Sequence, residues 1–350
     1  MSNIIMMPLH TFELSLIITV EEYQNCRNIL YATAKEIDAQ CFDENEWLNF
    51  RGFRSAGVSL SMRKNKNRSG AVVRLQVNPS TLLGNTDPTK LFLPTKKELK
   101  DVVSSLGILL RAIKFPRDIE DFYLNRLDIC KDVRLEKKEY LMEYLRLFRK
   151  GANRSHWTED CFGDERDGHS VRRKRDDYKV TMYDKAFELS QPDRSKHSTE
   201  PFQWHEAYQI LRIETALLRP GIREQMQRLE IDYDLSWPDL LAEFCISGAS
   251  IMEDLIDKLI PNGKFYSLNA ARIVVQTAGL RYDVQEKLID YLCETNRHPY
   301  LDASKVKIIK NRKKRIQQLY EFNINPVTIE ARSKIDALPS IQALLLLLLP

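Results

Sequence analysis

The chain lacks a CxxC pair, an internal repeat of fixed period and any apolar run long enough to cross a bilayer. Each absence removes a class of protein. The six cysteines, Cys26, Cys41, Cys130, Cys161, Cys245 and Cys293, are scattered, which excludes a paired-thiolate zinc module and a disulfide-stapled miniprotein and fits a reducing compartment. The opening MSNIIMMPLHTFELSLIITV has no basic region and no small-residue cleavage site, and Pro8, His10 and Glu13 interrupt it, so it reads as a strand and not a secretory signal. The run Leu344 to Leu349 falls far short of the roughly 20 apolar residues of a membrane helix. These readings place the protein in a cytoplasm, away from membranes.

What is present is the composition of an ordinary folded protein: 350 residues, 43% hydrophobic and 29% charged, enough for a substantial core and more than one domain. The net charge of +4 is modest, but the cations cluster. One group is Arg63, Lys64, Lys66 and Arg68, a second is Arg172, Arg173, Lys174 and Arg175, and a third is Lys305, Lys307, Lys310, Arg312, Lys313, Lys314 and Arg315. A single cluster is commonly a solvated face. Three of them point to a polyanion, because each phosphate neutralised releases a counterion, and nucleic acid is the leading candidate.

Periodicity gives an α+β chain. Residues 10–19 read as a strand, 21–38 as a helix, and 55–62 with 71–78 as a hairpin around the basic turn RKNKNRSG. Thr95 and Glu98 have capping-box spacing ahead of a helix with Leu99, Val102, Leu106, Leu109 and Ile113 on one face. YLNRLDICKDV reads as a strand, and KKEYLMEYLRLFRKG as a helix with Leu141, Leu145 and Phe148 inside and Gly151 as its C-terminal cap. Residues 151–178 are polar and show no period, which suits a functional loop or a mobile hairpin. KVTMYDK and LRIETALL are strands; beyond about residue 222 the pattern is helical. The expected organisation is an antiparallel-sheet domain with flanking helices at 1–222, a mostly helical accessory domain for DNA binding or oligomerisation at 223–335, and a tail at 336–350.

Strand alternation gives the sharpest inference. Leu127 and Ile129, Val180 and Met182, and Leu211 and Ile213 share the core-facing sides of three strands. If the strands are neighbours, Asp128, Tyr183, Lys185 and Glu214 share the opposite, outward face. Two converging carboxylates with oxygen-only ligation suit Mg²⁺ or Mn²⁺, which would polarise a phosphodiester. A tyrosine beside a cation has its phenolate favoured and would attack phosphorus, giving a phosphotyrosyl bond and a free 3′-hydroxyl. The same residues also fit an Asp128–Arg126 ion pair, a half-buried Tyr183 and a cross-strand Glu214–Lys185 pair. Spacing does not choose between the two.

The ordered segments RLQVNPSTLL, NRLDICKD, VTMYDKAFEL and LRIETALL resemble the rolling-circle replication initiators of filamentous phages and their plasmid and integrative-element relatives, over about residues 70–220 with an echo at 313–329. The resemblance implies a nicking and joining domain in which Tyr183 is the nucleophile and Lys185 its neighbouring cation. Asp128 and Glu214 fall on acidic positions associated with metal, and Glu188 is a third candidate ligand. Tyr178 is the reserve nucleophile. Many such nucleases hold metal with a His-hydrophobe-His strand; here His156, His169 and His205 stand alone, so the ligands fall to carboxylates. The resemblance further implies that the three basic clusters grip DNA, that His156 and Trp157 stack on unpaired bases unless Trp157 is a loop anchor, and that the partners are origin DNA and a bacterial host's helicase, polymerase and single-strand-binding protein. It allows a homodimer. A non-catalytic DNA-binding regulator is the alternative; a tyrosine recombinase ranks third, for want of its Arg and His-x-x-Arg set.

Overall fold

The computed structural model describes residues 6–65, 70–151, 157–160, 168–191, 207–297, 312–329 and 333–346. The protein is α+β, with a large antiparallel sheet and many helices. In chain order the elements begin with β1 (Leu9–Ile18), α1 (Val20–Glu36), β2 (Cys41–Glu44), β3 (Trp47–Phe50), β4 (Val58–Lys64), β5 (Ala71–Val77), α2 (Pro79–Leu82), α3 (Lys96–Ala112) and β6 (Tyr123–Arg134). Then come α4 (Lys138–Gly151), β7 (Thr158–Asp160), β8 (Ser170–Lys174), β9 (Tyr178–Asp184), α5 (Lys185–Ser190) and β10 (Ile210–Leu218). The remainder is helical apart from two short strands: α6 (Arg219–Arg228), α7 (Trp237–Ile246), α8 (Gly248–Leu259), β11 (Phe265–Tyr266), α9 (Leu268–Thr277), α10 (Tyr282–Arg297), α11 (Arg312–Glu321), β12 (Ala337–Leu338) and α12 (Ile341–Leu346). Strand order in the main sheet is β2-β3-β4-β5-β1-β6-β10-β9-β8-β7. Among the described residues no helix is long and apolar enough to cross a membrane.

Contacts divide the chain into two units that interleave in sequence: Met1–Cys130 with Asp176–Tyr178 and Ala216–Gly248, and Lys131–Arg175 with Lys179–Thr215 and Ala249–Pro350. Of the stretch 223–335, residues up to Gly248 belong to the first unit and the rest to the second.

In the first unit, alternation is clean. Phe12, Leu14, Leu48, Leu60 and Leu75 are buried on one side of the sheet, while Glu13, Asn49, Ser61 and Arg74 on the other side are partly open to solvent. The apolar side carries α1, through Tyr23, Cys26 and Leu30, and α7, whose Trp237 ring stacks on Phe12 with centroids 5.7 Å apart and donates its indole N–H to Ile119. Capping boxes at Thr19–Glu22 and Thr95–Glu98 start α1 and α3. Along α3 the expected apolar face forms, with Leu110 buried in place of Leu109.

In the second unit, Leu141, Leu145 and Phe148 of α4 are buried as expected. Gly151 is the last residue of α4, and packing explains the glycine: a Cβ there would lie 2.6 Å from Ile260 Cδ1. Ala271, Val275, Leu288, Leu292 and Leu319 tie α9, α10 and α11 into one apolar cluster. Of residues 151–178, read as a functional loop or a mobile hairpin, the described part contains β7 and β8, which pair antiparallel, and β8 pairs in turn with β9. The Ser-Val-Arg-Arg-Lys composition of β8 conceals the strand, because its inward positions are Val171 and an arginine that finds an internal carbonyl.

Gly221 in α6 shows how tightly the first unit is assembled. A Cβ at that position would lie 2.4 Å from the Asp177 carbonyl oxygen and 2.8 Å from the Tyr178 ring. Backbone cannot yield as a side-chain tip can. Gly221→Ala should lower the unfolding free energy by about 1–3 kcal/mol, read from the midpoint of urea denaturation.

Candidate active site

Tyr183 and Glu214 come from neighbouring strands, β9 and β10. The Tyr183 hydroxyl donates to Glu214 Oε1 at 2.5 Å. Tyr183 is 7% exposed, so its hydroxyl needs an internal acceptor, and Glu214 of β10 supplies one. Lys185 is the first residue of α5, and its ammonium lies 2.8 Å from Glu188 one helical turn on. The alternative reading paired Lys185 with Glu214; the ion pair described for the lysine is with Glu188.

The strand-to-helix turn that separates Tyr183 from Lys185 is built by Asp184. Its Oδ1 accepts from the backbone N–H of Ala186 and of Phe187, capping α5, and its Oδ2 lies 3.1 Å from His169 Nδ1. The His169 ring stacks on Phe187 with centroids 3.8 Å apart and planes 6° from parallel. His169, which belongs to no His-hydrophobe-His triplet, supports the turn that carries the tyrosine. The sequence signal was there, since an aspartate directly ahead of a short helical run is an N-cap pattern.

Two residues along β10 from Glu214, Arg212 is 0% exposed and makes a two-point bond to Asp132 of β6 at 2.6 and 2.7 Å. In the first unit, Asp128 is 2% exposed and is held by both Nε and Nη2 of Arg126, each at 2.8 Å, and by the Thr11 hydroxyl at 2.5 Å. The face expected to be outward is therefore largely buried at Asp128, Cys130, Tyr183 and Arg212. Charged side chains tolerate that burial because each brings a partner of opposite charge or a hydrogen-bonding group.

Tyr178, the reserve nucleophile, is 0% exposed; its hydroxyl donates to the Gly221 carbonyl and accepts from Gln225 Nε2. Burial pushes its phenol far above the ordinary value. Such a group is a poor phenolate, and it belongs to the packing of α6.

The basic clusters are dispersed in role. Arg63 and Lys64 end β4, with Arg63 over the Trp47 ring and Lys64 over the Tyr23 ring. Arg172 bonds the Thr181 hydroxyl, and Arg173 is 2% exposed with its guanidinium on the Arg149 carbonyl, so Arg173 faces inward and away from any phosphate. Lys174 is exposed, and Arg175 lies over Trp157 at 5.7 Å, which makes Trp157 a contact of its own hairpin. Lys313 and Lys314 are exposed on α11, Arg315 bonds Gln318, and Arg312 opens the same helix. Lys66, Arg68, Lys305, Lys307, Lys310, His156 and His205 lie outside the described residues.

No family model, curated protein or solved structure matches the chain. The reading of the site therefore rests on its own geometry.

For a divalent metal the donors are of the right chemistry but are differently engaged. Asp128 is committed to Arg126, Glu188 to Lys185, and Glu214 carries the Tyr183 hydroxyl. Among the described residues no group of three or more His, Cys, Asp or Glu side chains is disposed to hold a metal. Magnesium commonly needs only one or two carboxylates, with waters and a substrate phosphate completing its shell, so Glu214 suits it as a single protein ligand.

The buried Arg212–Asp132 pair should be costly to break. Asp132→Ala should lower the unfolding free energy by about 3 kcal/mol, since it strands a buried guanidinium. Asp43→Ala, which breaks the exposed pair with Arg27 at 3.0 Å, should cost less than about 1 kcal/mol. Urea melts of the two variants side by side test the difference.

Proposed function

We propose that the protein nicks and rejoins single DNA strands to start rolling-circle replication of a phage, plasmid or integrative element, with Tyr183 as the nucleophile. The observation that supports this is the 2.5 Å hydrogen bond from the Tyr183 hydroxyl to Glu214. A phenol titrates near 10, and a carboxylate on its O–H orients the oxygen and offers a place for the proton as the oxygen bonds phosphorus. In that step the Tyr183 O–P bond forms, the P–O3′ bond breaks, the 3′ oxygen leaves with a proton from solvent, and a 5′-phosphotyrosyl ester remains. The bond energy is conserved, so the reverse attack by a 3′-hydroxyl rejoins the strand and restores the phenol.

The remaining residues have supporting parts in this reading. Asp184 and His169 fix the turn after Tyr183, and the buried Arg212–Asp132 pair holds β10 in place beside it. Lys185 steadies the phosphate or the phenolate. Mg²⁺ or Mn²⁺ at Glu214 would supply charge stabilisation on a non-bridging phosphate oxygen. Asp128 and Glu188 would join such a shell only by releasing Arg126 and Lys185. The nuclease identity of the sheet, the helical segments as DNA-binding or oligomerising elements, and the host replication proteins as partners all belong to the same proposal.

Tyr183→Phe removes one oxygen and keeps the ring. On a supercoiled plasmid carrying the DNA that flanks the gene, it should bind as the wild type does and lose nicking by at least about 100-fold, the scale of one essential catalytic group. Tyr178→Phe should nick normally and lose about 2 kcal/mol of stability from two buried hydrogen bonds. Normal nicking by Tyr183→Phe would show that the nucleophile is another residue, and binding with no nicking by the wild type would favour the regulator.

A further inference from the structure

On the solvent-facing side of the first unit's sheet, two guanidiniums meet one indole. Arg63 Cζ lies 4.7 Å and Arg74 Cζ 4.3 Å from the Trp47 ring centroid. The register explains the meeting. Trp47 begins β3, one residue before the Leu48–Met62 pair, and Arg74 of β5 reaches it past the small side chain of Ser61, which pairs with Arg74 on one side and Asn49 on the other. Two like charges within 5 Å of one ring repel each other; the carboxylates beside them are Glu13 of β1 and Glu44 of β2, the cross-strand partner of Trp47. Glu13 Oε1 lies 3.4 Å from Arg74 Nε, too poorly aligned to satisfy it: that nitrogen is buried without a hydrogen-bond partner, while the same Glu13 oxygen accepts from Asn125. Arg63 has no carboxylate partner among the described residues. The patch thus brings two guanidiniums, of which Arg63 has no ion pair among the described residues, and an aromatic plane to one place.

From this we infer that the Trp47–Arg63–Arg74 patch is a binding site for single-stranded nucleic acid. A phosphate fits between the two guanidiniums and relieves their repulsion through charge-assisted bonds, and an unpaired base takes a guanidinium's place against the indole. A duplex offers phosphates but keeps its base faces covered, so the aromatic member selects the single strand. Ser61 and Asn49 beside the patch leave room and add donors without adding charge. The site is a separate assignment from Tyr183: it needs no cleavage, and it stands or falls on binding alone.

The test is equilibrium binding of the full chain to a labelled oligothymidylate of about 20 nucleotides, long enough for one such groove. Trp47→Ala should weaken binding about 5- to 150-fold, Trp47→Phe should keep most of it, and a duplex of equal length should bind without sensitivity to Trp47. Arg63→Gln should reduce the slope of log affinity against log salt by about 0.7, the effect of one lost phosphate contact. The readout is binding without turnover, so a failure of the nucleophile assignment cannot be mistaken for a failure here. Wild-type affinity in folded Trp47→Ala overturns the inference. So does an unaltered salt slope in Arg63→Gln, which decides the matter if Trp47→Ala fails to fold. Displacement of the oligonucleotide by polyglutamate as readily as by unlabelled oligothymidylate also overturns it and points to an acidic protein.

Discussion

A polar side chain buried between strands must find its partner on the strand beside it, and this requirement organises the second unit. Arg212 with Asp132, and Tyr183 with Glu214, are two such cross-strand matches, both involving β10. The first is an ion pair whose separation would leave a desolvated guanidinium, so it fixes the lateral position of β10 with an energy of several kcal/mol. The second exploits that fixed position. Because Arg212 and Glu214 are two residues apart on one strand, they share a side, and a shift of one residue would turn both away from their partners.

The turn after Tyr183 follows the same logic on a smaller scale. Asp184 is buried, and three donors surround it: two backbone N–H groups of α5 and the His169 ring. A tyrosine at the end of a strand is normally free to fray with it. Here the cap, the imidazole stacked on Phe187 and the Lys185–Glu188 pair hold the chain directly after the phenol. Pre-set geometry of this kind is what attack on phosphorus requires, since most of the barrier in such reactions is positioning and charge.

Much of this was legible in the sequence wherever one periodicity ruled. β1, α1, the β4–β5 hairpin, α3, β6, α4, β9 and β10 fall within a few residues of the pattern-based expectation, and the helical character after residue 218 follows as well. Period-2 alternation also placed Tyr183 and Glu214 on one side, and the hydrogen bond between them bears on that placement directly. What alternation could not show was burial of that side, because whether a polar residue is covered depends on a partner from another strand. For the same reason Arg212–Asp132 and His169–Asp184 were missed: each joins segments far apart in sequence. β8 was lost among charges, its Arg173 behaving as a core residue, and the four-residue strands β2 and β3 are too short for any period to emerge. Trp47 sits in one of them, so the patch it forms with Arg74 had no signature of its own.

The account's central claim is that the phenol of Tyr183 forms a covalent bond to DNA. Incubation with a random-sequence single-stranded library and Mn²⁺, denaturation, and peptide mapping of the trapped adduct measure it most directly. The account predicts a nucleotide-bearing peptide modified at Tyr183 and no adduct from Tyr183→Phe; an adduct on another residue, or none from the wild type, would contradict it.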